Sequence, residues 1–318
     1  MKGSISVYRY TLVSRAGLNS RSERQEHHGA LIRVGKDSYG YGCIHPWPEL
    51  GDPSLEYLLS QLSRGETTRL SEQALRCAEK DAQARSEGVS LFEGLVMPRN
   101  HATVSLNREA LERAQVAGFE KVKVKVGRDL DREAKLFTEL AEMFDVFRWR
   151  LDFNHSCSLN DVEHFLYALG EEICLKIDWI EDAWLEVDTP TKSLLGVPLA
   201  VDRWVSREVG NFPFSVVKPA CEDVNDILKR SQDCCTKVVF TSYMDHPLGQ
   251  SYAAWHAAVA HSLYPSLVDM CGLVTHELFR SNDFSRCLGG ATPQFQPALG
   301  TGLGFDHLLE ELPWKPIT

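Results

Sequence analysis

Lys121-Val122-Lys123-Val124-Lys125-Val126-Gly127 is a strict two-residue alternation, which places three ammonium groups on one face of a strand and three β-branched side chains on the other. Taken alone, such a stretch reads as an amphipathic edge strand whose lysines sit in water and discourage edge pairing. The chain beyond Gly127 changes that reading. Four more apolar segments each run into an ionisable residue: Trp149 to Asp152, Ile177 to Glu181, Pro198 to Asp202 and Phe214 to Lys218. Counted from Lys125, the charges are spaced by 27, 29, 21 and 16 residues, and most of these intervals hold a strand, a helix and two short loops. The charges are therefore expected at successive strand ends of a β/α array. A closed barrel is favoured over an open sheet, because in a barrel the ends of consecutive strands meet at one mouth.

With 318 residues, 43% of them apolar, the chain can hold one barrel of about 250 residues or two smaller domains. No apolar run reaches the roughly 18 residues that a membrane span needs, and the first twenty residues lack the continuous apolar core of a signal peptide, so a cytoplasmic protein is expected. Nine cysteines without a C-x-x-C pair predict reduced, mostly buried thiols. A net charge of −10 with no basic run argues against nucleic acid or an anionic membrane as partner. An anionic substrate would have to be held by local lysines or a metal against that field.

Residues 1–100 read as a small α+β segment. Strands are expected over Ser4 to Val13 and Gly29 to Val34, Ser38 to Ile44 then turns into a Pro- and Gly-rich stretch through Pro53 as a meander and a loop, and helices are expected over Ser54 to Leu62 and Ser71 to Ser86. The polar run from Arg15 to His28 suits either a mobile loop over a site or a plain exposed connection. From about residue 101 to 285 strand and helix alternate. A helix is expected over Asp131 to Phe144, a strand over Phe147 to Phe153, a helix capped by Ser158 or Asn160 and running through Leu169, a strand over Cys174 to Ile180, and an Ala-rich helix over Gln250 to Leu263. Residues 286–318, with Gly300-Thr-Gly-Leu-Gly-Phe-Asp306, read as loop and short strand returning to the first segment. Gly300-x-Gly-x-Gly304 lacks the strand-turn-helix context of a phosphate loop. His45, His101, His155, His246 and His256 are isolated, and Tyr252 and Trp255 belong to a helical core face.

Gly118-Phe119, Lys123-Val-Lys125-Val-Gly127, Arg150-Leu-Asp152-Phe-Asn154, Ile180-Glu181-Asp182, Leu199-Ala-Val-Asp202 and Val217-Lys218-Pro219 together resemble the successive active-site strands of the enolase superfamily, muconate-lactonizing subgroup. The resemblance implies an α+β capping domain, a modified (β/α)7β barrel and a C-terminal segment that rejoins the cap. It departs from the family at Ala183, where Pro is common after the Glu-Asp pair, and at Arg203, where an acid commonly follows the third metal ligand. Thr241-Ser-Tyr-Met-Asp-His-Pro-Leu-Gly249 and the short chain lean toward the subgroup's dehydratases of menaquinone biosynthesis. That implies loss of water from 2-succinyl-6-hydroxy-2,4-cyclohexadiene-1-carboxylate.

The residue types suit this chemistry. Removing a proton next to a carboxylate makes a dianionic enediolate, which requires concentrated positive charge. Asp152, Glu181 and Asp202 are the expected oxygen ligands of Mg²⁺, with Mn²⁺ as a substitute; each acid alone would read as a helix cap, and it is their order opposite lysines that points to a metal. Lys125 is the expected base, its pKa lowered by Lys123 on the same face; in the resemblance it then returns the proton to the departing hydroxyl. Lys218, across the mouth, would stabilise the enediolate. Arg150, Asn154, Thr241 and Ser242 are candidate substrate contacts. Two other readings use the same barrel: a racemase or epimerase of N-acylated amino acids or dipeptides, and a non-catalytic binding protein.

Overall fold

In the computed structural model, residues 4–15, 18, 24–36, 38–183, 192–202 and 205–317 are described. Three antiparallel strands, β1 (Ser4–Val13), β2 (Glu26–Gly35) and β3 (Tyr39–Ile44), form a meander, followed by helices α1 (Leu55–Ser63) and α2 (Arg69–Glu87). On β2 the alternation puts Ala30, Ile32 and Val34 against Leu58, Leu62, Leu70 and Ala74 of the two helices, while Leu31 joins Tyr10 and Leu12 in the larger core shared with the barrel. Both faces of the cap sheet are thus covered. Gly40 and Gly42 explain how closely α2 lies on β3. A Cβ at Gly42 would stand 2.1 Å from the Ala74 carbonyl oxygen, and one at Gly40 1.8 Å from that of Ala78. Gly42→Ala should therefore destabilise the fold by about 1–3 kcal/mol, because the obstacle is helix backbone that cannot rotate away; urea unfolding would show it as a lowered midpoint.

The barrel comes next. In chain order it comprises β4 (Ala102–Val104), α3 (Arg108–Val116), β5 (Lys121–Lys125), α4 (Leu130–Met143), β6 (Arg148–Asp152), α5 (Leu159–Leu169), α6 (Glu171–Cys174), β7 (Ile177–Glu181), β8 (Ser193–Leu194), β9 (Val197–Val201), α7 (Val205–Glu208), β10 (Phe214–Val217), α8 (Val224–Cys234), β11 (Lys237–Phe240) and α9 (Pro247–Leu263). Seven of the strands are parallel, in the order β4-β5-β6-β7-β9-β10-β11, and β8 makes a small antiparallel hairpin with β9. Residues 267–272 close the ring. Val268 and Gly272 bridge in parallel to Val238 and Thr241, and Cys271 bridges to Asn100 beside β4. The expected serial β/α order and closed barrel are both present. Beyond α10 (Asp283–Cys287) and α11 (Asp306–Glu311), the chain returns as β12 (Lys315–Pro316), paired antiparallel with β1.

Local signals set the element ends. Ser158 caps α5 through a reciprocal pair of hydrogen bonds with Asp161, which decides between the two candidate caps. The strand expected over Cys174 to Ile180 begins later, at Ile177, because Glu171 to Cys174 close a helical turn whose two leading glutamates favour its N-terminus. A short apolar run has no periodicity that separates the two states. All nine cysteines are free, but only Cys43, Cys77, Cys221 and Cys271 are buried, while Cys234 and Cys235 are exposed, fewer buried thiols than expected. No helix among the described residues is long and apolar enough to cross a membrane.

Candidate active site

The alternation on β5 continues round the barrel. Lys125 is in register with Asp152, and Asp152 with Glu181, each the last residue of its strand. Asp202 and Lys218 directly follow β9 and β10, and Thr241 follows β11. Parallel strands present these residues at one mouth, where a cavity of about 430 Å³ is bordered by Lys123, Lys125, Asp152, Asn154, Asp202 and Lys218. The cap supplies its other side through Trp47, Leu50, Asp52 and Arg69. Trp47 ties the two parts together: it is almost wholly buried, and its indole N–H donates to the Tyr243 carbonyl at 2.7 Å.

Opposite charges meet throughout the mouth. The Lys123 ammonium lies 3.1 Å from Asp152 and is hydrogen-bonded to Glu181, and Lys218 pairs with Asp202. Burial works against the Lys123 charge, but Asp152 and Glu181 outweigh it and hold its pKa above the ordinary lysine value. Lys125 goes the other way. Burial lowers its pKa, Lys123 and Lys218 add to the effect, and the nearby carboxylates oppose it only in part. Its ammonium donates to the Leu18 backbone carbonyl. Glu181 is fully buried, and desolvation with the neighbouring Asp152 and Asp182 charges holds its carboxyl above the usual range, whereas Asp152, also buried, is pulled below it by Lys123 and Lys125.

Positioning groups surround these side chains. Asn154, with φ at +50°, donates from Nδ2 to Asp152 Oδ1 at 2.7 Å and from its backbone N–H to the same oxygen at 3.1 Å. Asp182 accepts the Asp202 backbone N–H at 3.0 Å and so sets the end of β9. Glu222 accepts the Lys218 backbone N–H at 2.9 Å. Thr241 borders the cavity, its hydroxyl lacks a partner among the described residues, and the Ser242 hydroxyl meets that of Thr275. Glu222, Thr275 and Arg69 carry no signal along the chain, whereas Asp182 stands in the Ile180-Glu181-Asp182 motif without a role assigned by it.

Arg150 is a correction. It shares a strand face with Asp152 but lies one layer deeper, wholly buried, with its guanidinium on Asp178 at 2.8 Å, Asp269 at 3.2 Å, the Met270 carbonyl at 2.7 Å and His101 Nδ1 at 2.7 Å. It is committed to the barrel interior and does not border the cavity. Arg150→Met should lower stability by about 3 kcal/mol, since the partly buried Asp178 and Asp269 would keep their charge with less compensation; chemical denaturation measures it.

Asp152, Glu181 and Asp202 offer hard oxygen donors on consecutive strand ends, and the buried Glu181 Oε2 has no hydrogen-bond partner among the described residues. As they stand, their charges are met by Lys123 and Lys218, and no three His, Cys, Asp or Glu side chains among the described residues close on one point. Donor type, strand order and the orphaned Glu181 oxygen fit a divalent cation that would share this negative charge with the lysines. Ala183 is buried beside the Glu-Asp pair, and Arg203 lies outside the described residues.

Residues 106–204 match the family described as "Enolase C-terminal domain-like". The chain superposes on a dipeptide epimerase from Cytophaga hutchinsonii, solved with Mg and a dipeptide (TM-score 0.78, 18% identity, 100% of both chains), and on N-succinyl Arg/Lys racemase from Bacillus cereus (TM-score 0.77, 17% identity, 98% of both). Fold and site together define an enzyme of the enolase superfamily. Residues 5–84 match "O-succinylbenzoate synthase, N-terminal domain", and o-succinylbenzoate synthase of Bdellovibrio bacteriovorus is 34% identical over 98% of both chains. The chain belongs to the o-succinylbenzoate synthase family, hydro-lyases of the muconate-lactonizing subgroup.

Proposed function

We propose that this chain carries out the syn-dehydration of 2-succinyl-6-hydroxy-2,4-cyclohexadiene-1-carboxylate to o-succinylbenzoate in menaquinone biosynthesis, with Lys125 as both base and acid. The observation that carries this reading is Lys125 itself, which ends β5 beside Asp152, borders the cavity and has its pKa lowered by burial and by two other lysines. The free amine takes the proton alpha to the ring carboxylate. The ammonium so formed gives that proton to the hydroxyl leaving from the same face; the C–O bond breaks, one water departs and the ring becomes aromatic. Lys218, across the mouth, holds a cation near the charge that develops on the ring, a contribution of up to about 2 kcal/mol when desolvated.

Lys123 keeps Asp152 and Glu181 together and adds its charge beside Lys125. Mg²⁺, or Mn²⁺ in its place, held by Asp152, Glu181 and Asp202, would supply the concentrated positive charge that makes the alpha proton acidic. Asn154 orients Asp152, while Thr241 and Ser242 face the substrate. The parts serving this reaction are a cap of residues 1–100, a barrel of 101–285 and a segment of 286–318 that returns to the cap. We place the reaction in the cytoplasm, where nine unpaired thiols remain reduced.

The test is absorbance-monitored turnover of the cyclohexadiene by purified protein, with Mg²⁺ and then with EDTA. Rapid product formation that EDTA abolishes is expected. No product, with N-succinyl amino acids or dipeptides losing optical activity, would move the function to racemisation. Silence in both assays would leave a non-catalytic barrel.

A further inference from the structure

We propose that Arg69 of the cap anchors the second carboxylate of the substrate, the one at the end of the succinyl arm, and so selects dicarboxylates. This rests on the dehydratase reading above.

Arg69 is a cation of the cavity wall whose donors are unspent among the described residues. Lys123 and Lys218 are paired with carboxylates, and Lys125 donates to Leu18. The Arg69 guanidinium makes no hydrogen bond or ion pair with any described residue, although it borders the cavity with Lys218, Thr241 and Ser242. The acids whose charge it feels are Glu222 and Asp52. Both form their hydrogen bonds elsewhere: Glu222 accepts from the Lys218 N–H at 2.9 Å, and Asp52 from the Trp47 N–H at 2.9 Å and the Tyr243 hydroxyl at 2.8 Å.

The position of Arg69 is built. It is the first residue of α2, whose start is fixed by Thr68 and Ser71: the Thr68 N–H donates to Ser71 Oγ at 2.8 Å and the Ser71 N–H to Thr68 Oγ1 at 3.4 Å. Leu70, the next residue, is buried in the cap core.

A second observation points to a ligand on the same wall. Thr241, only 9% exposed, directly follows β11 and borders the cavity, and its buried hydroxyl oxygen has no partner among the described residues. In the closed barrel, β10 and β11 lie across the mouth from β5 and β6, which carry Lys125 and Asp152. A substrate whose ring carboxylate sits at the Lys125 side therefore extends its arm toward Thr241 and Arg69. A planar guanidinium matches a carboxylate with two parallel N–H donors, and a dianion entering a protein of net charge −10 needs such a cation at its far end.

Calorimetric binding, with Mg²⁺ in excess, would compare o-succinylbenzoate with 2-butanoylbenzoate, which lacks the distal carboxylate, in wild-type protein, Arg69→Met and Arg69→Lys. Wild type should prefer the dicarboxylate by about tenfold or more, Arg69→Met should lose that preference, and Arg69→Lys should keep part of it as a cation without the fork. In turnover, Arg69→Met should raise KM by a similar factor with kcat changed by no more than about threefold, the mark of binding energy equal in ground and transition states. Retained preference in Arg69→Met overturns the anchor, and so does equal weakening of both ligands, which would make Arg69 a shaping residue. Wild-type protein that turns over the cyclohexadiene but shows no preference also overturns it while leaving the dehydratase reading intact. Wild type that neither binds these acids nor turns over the cyclohexadiene overturns both.

Discussion

Lys125→Ala is expected to lower turnover by about 10⁴-fold or more while leaving the fold and the affinity for Mg²⁺ nearly unchanged. In the proposed mechanism one amine takes the proton from carbon and delivers it to the departing oxygen, so its removal would affect both transfers. The structural cost is small, since the one hydrogen bond lost among the described residues runs to the Leu18 carbonyl. Asp152 keeps Lys123 and Asn154 as partners. Lys125→Arg separates charge from basicity, because a guanidinium stays protonated at every pH the protein survives. The arginine variant should be as inactive as the alanine one. Normal turnover in Lys125→Ala would remove the base assignment, and activity restored by arginine would show that position 125 acts through charge alone. Calorimetry and circular dichroism check that metal binding and fold persist.

Glu181→Gln should weaken Mg²⁺ binding by more than about a hundredfold, beyond the 10–100-fold typical of losing an outer partner of a ligand. The carboxylate is fully buried, one oxygen is engaged by Lys123, and the other has no partner among the described residues. An amide replaces a charged oxygen donor by a weaker one and turns an N–H₂ group toward the position proposed for the cation. The metal-free protein should change little in stability, because Lys123 retains Asp152 at 3.1 Å and the desolvation cost of the buried Glu181 charge disappears. Unchanged Mg²⁺ affinity by calorimetry would take Glu181 out of the ligand set. Together with Lys125→Ala, this variant separates the two functions proposed for the mouth: the first should change proton transfer at constant metal affinity, the second metal affinity.

Much of this arrangement was legible along the chain. Ser4 to Val13 is a strand from end to end, since its pattern ends at polar residues on both sides. The acids and lysines at 125, 152, 181, 202 and 218 do lie at successive strand ends, because each ends a run of β-branched and aromatic residues whose side chains need the barrel wall. The strand expected from Cys174 was partly a helical turn, where three apolar residues in a row fit either state. Residues 267–272 gave no strand signal of their own and are held by pairing on both edges.

Alternation in the sequence by itself determined which face each side chain takes and in what order the charges come round the barrel, because a strand turns every second residue the same way. Depth was decided only by the tertiary structure. Arg150 and Asp152 share a face, yet one is sealed among Asp178, Asp269 and His101 while the other reaches the mouth, since the closed ring stacks interior side chains in layers. The same holds for Arg69, whose helix carries no sign of a site until the cap docks over the barrel and Trp47 reaches Tyr243, 196 residues away in the chain. Periodicity is a property of neighbours in sequence, and such contacts exist only between segments that folding brings together.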